Sequence, residues 1–102
     1  MDNIFLNKIE LLKRKYNNEG FIILGVFGSY ARGEETPESD IDILYELTED
    51  FFDKYPGWAV VSAIKNIRKD FEATLGKNID FADRNALKNT GKKYILPEVQ
   101  YV

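Results

Sequence analysis

Apolar residues recur along this chain at helical spacing, then at strand spacing, then alternate between the two, which predicts a mixed α/β architecture. Phe5, Ile9, Leu12 and Tyr16 mark an amphipathic helix over about residues 3–17, with Gly20 as its stop signal. Phe21 to Phe27 (FIILGVF) is short and almost wholly apolar, as suits a strand covered on both faces. Gly28 ends it, and Ser29 is placed to cap a short helical turn through Arg32. Beyond an acidic loop over 34–39, Ile41 to Leu47 alternates. Ile41, Ile43, Tyr45 and Leu47 share one face; Asp42, Leu44 and Glu46 share the other.

Pro56 and Gly57 precede a longer helix to about Leu75, with Val60, Ile64, Ile67, Phe71 and Leu75 as its apolar face. Trp58 and Phe71 read as core or helix-packing residues. Residues 78–82 form a short strand, with Ile79 and Phe81 on one face and Asp80 on the other. Asn85 is placed to cap a brief basic helix, and Pro97 limits any helix near the end. The expected order is helix, strand, strand, helix, strand, helix: a small mixed sheet flanked by helices, forming a single domain over residues 1–102.

Composition narrows the chemistry. The 102 residues contain no Cys and no His, which removes thiolate nucleophiles, disulfides, Ser-His-Asp triads and His-ligated zinc. Carboxylates, hydroxyls, amines, backbone amides or a hard metal must carry any reaction. No apolar run approaches the roughly 20 residues needed to cross a bilayer, and the start lacks a signal-peptide pattern, so a cytoplasmic location without membrane contact is expected. The net charge of −3 argues against a nucleic-acid partner. Nine acids lie between residues 34 and 53 with no basic residue among them: Glu34, Glu35, Glu38, Asp40, Asp42, Glu46, Glu49, Asp50 and Asp53.

Three features stand out against that background. Gly28-Ser29 lies where a buried strand turns into a helix, a place where glycine permits close approach and exposed amides suit phosphate. Alone, it reads more readily as a simple turn with an N-cap than as a phosphate cradle, and it is neither a Walker A loop nor a dinucleotide fingerprint. Asp40 and Asp42 flank Ile41, and the strand period of two puts both carboxylates on one face, where they repel unless a cation, protons or solvent neutralise them. A hard, oxygen-seeking Mg²⁺ answers that need. Asp80 interrupts an apolar strand and could supply a third oxygen ligand to a two-metal phosphoryl-transfer site.

Taken together, Gly28-Ser29-Tyr30-Ala31-Arg32-Gly33, Ser39-Asp40-Ile41-Asp42 and Ile79-Asp80-Phe81 resemble the signature of the minimal nucleotidyltransferases of the polymerase-β-like superfamily. That signature is Gly-Ser, about ten residues, Asp-x-Asp, and a third Asp on a later strand; Asp40 here follows Ser29 by eleven positions. The resemblance covers about residues 20–100. Pro97 departs from it, at a place where relatives continue a helix. It implies the polymerase-β-like nucleotidyltransferase fold and a site for ATP with two Mg²⁺ ions. By position, Asp40 and Asp42 would bind both metals. Asp80 would hold the catalytic metal and ready the acceptor hydroxyl. Gly28 and Ser29 would cradle phosphates, and Arg32 would either contact phosphate or brace the carboxylates. The implied reaction is in-line attack on the α-phosphate with release of pyrophosphate.

Standalone members of the family are typically antitoxins of small helical HEPN-type toxins. The resemblance therefore implies transfer of AMP to a protein hydroxyl, a Tyr of such a toxin. The acidic site fits that reading, since it repels a polynucleotide acceptor. The alternative is a binding module that masks its partner with transfer weak or absent. Mutually repelling carboxylates favour the enzyme. Arg84, Lys88, Lys92 and Lys93 offer either a partner-docking stretch or a solvated helix face, and homo- and hetero-oligomers both remain open.

Overall fold

Sequence periodicity and tertiary packing meet in a four-stranded sheet with the order β3-β2-β1-β4, seen in a computed structural model that describes residues 1–102. The elements are α1 (Asn3–Asn17), β1 (Phe21–Phe27), α2 (Gly28–Arg32), β2 (Ile41–Leu47), α3 (Glu49–Lys54), α4 (Ala59–Leu75), β3 (Ile79–Asp83), α5 (Asn89–Ile95) and β4 (Gln100–Tyr101). β1 pairs antiparallel with both β2 and β4, whereas β2 and β3 run parallel, so the sheet is mixed as expected. The parallel pair requires a crossover, which α3 and α4 provide.

Ile9, Leu12 and Tyr16 of α1, together with Ala63, Ile67 and Phe71 of α4, bury the apolar stripe that their spacing announces. They pack on Phe21, Ile23, Ile41, Ile43, Tyr45 and Ile79 of the sheet. Phe21 is the hub: its ring stacks on Tyr45 at 4.6 Å and lies 5.3 Å from Phe81, 6.0 Å from Phe51 and 6.3 Å from both Phe71 and Tyr16. Leu44 is fully buried but lies outside this cluster, on the face it shares with Asp42. That second face carries the candidate chemistry.

Three expectations are corrected. Trp58 is 88% exposed and belongs to no core, because α4 presents its stripe from Val60 and Ala63 onward and Trp58 precedes that face. Phe71, by contrast, is fully buried. Ser29 does not cap α2: the helix begins at Gly28, the cap position falls on Phe27, and no side chain bonds there. The turn at Arg84–Ala86 is capped by Asp83, whose carboxylate accepts from the Asn85 amide at 2.9 Å, and Asn85 caps nothing. The pattern also missed α3 and β4. α3 is a single short amphipathic helix anchored by the buried Phe51, and β4 is two residues long, too short to show a period. Pro97 sits in a one-turn 3-10 helix, Leu96–Glu98, that follows α5 directly.

Candidate active site

Parallel pairing of β2 and β3 puts Asp42 directly opposite Asp80, with Ile41 opposite Ile79 beneath them. Both isoleucines are buried in the core, so both aspartates project from the other face. Asp40 lies one residue before β2 and shares the parity of Asp42. At the neighbouring strand, Phe27 pairs with Asp42, and Gly28 follows with φ +72°. Asp42 and Asp80 therefore lie side by side on β2 and β3, with Asp40 just before β2 and Gly28, which opens α2 ahead of Ser29, against Asp42.

Gly28 is required at its position on two counts. Its positive φ is one that side-chain-bearing residues rarely adopt. A Cβ there would also lie 2.1 Å from Asp42 Oδ2, so the carboxylate rests against the bare backbone. The close approach anticipated at this glycine is made by the protein's own Asp42.

Burial pushes the Asp42 carboxyl above its usual range, and the charges of Asp80, Asp40 and Glu98 push it in the same direction, opposed weakly by Arg32. The carboxylates remain spread apart, since no three acidic side chains of the chain converge as ligands around one point. The donor set nevertheless fits a hard divalent ion: it is all carboxylate oxygen and negatively charged in excess, with Asp42 and Asp80 on neighbouring strands and Asp40 beside them. A divalent cation held by Asp40, Asp42 and Asp80 would supply the attraction that these groups lack among themselves.

Glu98 was not foreseen. Its Oε1 accepts from the Gly28 amide at 3.0 Å, and its two carboxylate oxygens accept from Arg32 Nη1 at 3.3 and 3.1 Å. Arg32 Nε also donates to Glu34 at 3.3 Å. Arg32 therefore braces two acids outside the aspartate trio, and these bonds hold its guanidinium firmly protonated. The one sequence signal for Glu98 was that it is the only charged residue between Ile95 and Val102.

On the β3 flank, an open and mainly polar cavity of about 420 Å³ lies beside Asp40, walled by Pro37, Glu38, Ser39, Glu72, Lys77 and Asn78. Lys77 Nζ donates to the Pro37 carbonyl at 2.6 Å, and Glu72 accepts from the Ile79 amide at 3.2 Å, so both walls are tied down. Arg84 and Lys92 meet at a separate small pocket and do not join the aspartates.

Residues 8–102 match the family model described as a nucleotidyltransferase domain. The chain belongs to that family. It is 34% identical, over the whole of both chains, to the protein adenylyltransferase MntA of Thermococcus cleftensis. It is 36% identical to a Methanocaldococcus jannaschii protein, MJ1379, provisionally named a protein adenylyltransferase, covering 91% of this chain and 85% of that one. Among solved structures, one provisionally described as a minimal nucleotidyltransferase superposes with a TM-score of 0.76 at 24% identity, covering 100% of this chain and 97% of its own. A second, the crystal structure of a toxin-antitoxin with AMP-PNP, gives 0.72 at 21% identity, covering 98% of this chain and 72% of its own. The minimal nucleotidyltransferase fold expected from the motif is the fold observed. This nucleotidyltransferase contains no helix long and apolar enough to cross a membrane.

Proposed function

We propose that this nucleotidyltransferase transfers AMP from Mg-ATP to a hydroxyl of a partner protein, a Tyr of a HEPN-type toxin, and acts in the cytoplasm as that toxin's antitoxin. The observation that carries the reading is the set Asp40, Asp42 and Asp80 on one sheet face, beside the Gly28-Ser29 turn. The names of the relatives, protein adenylyltransferase and toxin-antitoxin, support the acceptor class.

In this reading Asp40 and Asp42 hold both Mg²⁺ ions and Asp80 holds one. The metal, when bound, neutralises charge on the transferred phosphoryl group and on its leaving group. Ser29 orients the polyphosphate on the β1 flank. The acceptor approaches from the β3 flank, where the polar cavity beside Asp40 opens. Asp80, opposite Asp42 on β3, steers the acceptor hydroxyl in line. The hydroxyl oxygen bonds to the α-phosphorus, the bond from that phosphorus to the bridging oxygen breaks, pyrophosphate leaves, and a carboxylate takes the hydroxyl proton. A bulky anion then covers the modified hydroxyl, blocking a partner that must bind RNA phosphates.

The test is co-expression with the candidate toxin, followed by intact-mass measurement of the toxin. Mass increments of one or more nucleoside monophosphates, absent with Asp40→Ala, are expected. Neutralisation without any increment, and equally by Asp40→Ala, would establish the masking module instead.

A further inference from the structure

α2 is five residues long, too short to hold its own geometry, since isolated helices below about a dozen residues are marginal in water. Something outside it must set its position. α2 carries Ser29, and its first residue, Gly28, forms the wall against which Asp42 rests. Whatever fixes α2 therefore also fixes the spacing between Ser29 and Asp42.

The geometry points to Glu98 as the positioning residue for this site, a role that deepens the nucleotidyl-transfer reading and rests on it for its functional part. Glu98 holds both ends of α2 at once, through the Gly28 amide and the Arg32 guanidinium. The amide it caps is one of the donors that every helix start leaves without an internal partner. Its own backbone is fixed from behind. Val99 is buried and Gly25 leaves no room between β1 and β4: a Cβ on Gly25 would lie 2.5 Å from the Gln100 carbonyl and 2.6 Å from Val99 Cγ1. Val102 closes the edge through its amide, which donates to the Leu24 carbonyl at 3.1 Å. β4 is thus seated against β1, and Glu98, two residues before it, reaches from there to α2. It follows that the Gly28 amide is committed to Glu98, leaving Ser29 as the polyphosphate-facing group of the turn.

The experiment compares wild type, Glu98→Gln and Glu98→Ala by calorimetric binding of Mg-ATP well below each melting temperature, and by amide exchange at Gly28 to Gly33. Glu98→Ala removes both contacts; its Mg-ATP affinity is expected to fall about tenfold, the scale of one charge-assisted hydrogen bond. Its α2 amides should exchange faster. Glu98→Gln keeps an acceptor for the Gly28 amide and should recover part of both losses. A merely structural role would lower the melting temperature and leave affinity unchanged, which would overturn the positioning role. Tighter Mg-ATP binding by Glu98→Ala would overturn it too, by showing that Glu98 obstructs the nucleotide. Should wild type itself bind no Mg-ATP, the nucleotidyl-transfer reading fails, while amide exchange still decides whether Glu98 holds α2: unchanged exchange in Glu98→Ala refutes the clamp.

Discussion

Gly28→Ala separates what a glycine contributes to the fold from what it contributes to the site. Gly28 and Gly33, the first residue and the C-cap of α2, have nearly equal angles, φ +72° and +71°. Alanine in that left-handed region costs about 1–2 kcal/mol at either position. For a domain of this size that is a fall in melting temperature of about 4–16 °C. The surroundings differ. A Cβ at Gly33 meets nothing within 4 Å, whereas one at Gly28 meets Asp42 Oδ2 at 2.1 Å. That oxygen is the free end of a side chain, so it can swing away at small energetic cost. The swing takes a proposed metal ligand out of position by an ångström or more, which suffices to lower a transfer rate on the order of 100-fold. The two variants should therefore melt alike, yet only Gly28→Ala should lose Mg-ATP binding and transfer. Differential scanning fluorimetry and mass measurement of the acceptor read the two effects separately. Full transfer by Gly28→Ala would refute the contact argument. A melting loss far beyond that of Gly33→Ala would show that backbone, rather than the carboxylate, gives way.

Asp42→Asn should abolish transfer while the melting temperature at pH 7 holds or rises. The folded carboxyl is raised above its usual value of 3.8 by burial and by Asp80, Asp40 and Glu98, so its ionised form opposes folding; the variant's advantage should vanish as acid protonates wild type. Asp70→Asn should have the opposite sign. Asp70 Oδ2 accepts from Lys15 at 2.7 Å and from the Tyr16 hydroxyl, which holds its carboxyl below 3.8. Its stabilisation is present above that pH and is lost as pH falls through the folded value, so the variant should lose about 1–2 kcal/mol at pH 7 and little in acid, measured by urea melts across pH. Phe21→Ala empties the centre of the aromatic cluster and should cost about 3–5 kcal/mol, read as a much lower denaturant midpoint.

Features that are local or periodic were legible in the residues alone. The stripe Ile9, Leu12 and Tyr16 and the alternation Ile41, Ile43 and Tyr45 identify a helix face and a strand face, because burial repeats every 3.6 or every 2 residues. Parity alone put Asp40 and Asp42 on one side of a strand, and the motif spacing carried the family. Which strands become neighbours depends on long-range packing, and with it the placement of Asp80 opposite Asp42 across a parallel pair joined by a crossover of two helices. Trp58 shows the limit of composition: a large aromatic beside a helix is placed by the face it falls on, and that face points to solvent. Glu98 shows the limit of motif reading. It lies 66 residues from Arg32, and no period links the two. Their contact exists because a two-residue edge strand brings the C-terminal segment back along β1, a pairing set by backbone hydrogen bonds that every sequence can make.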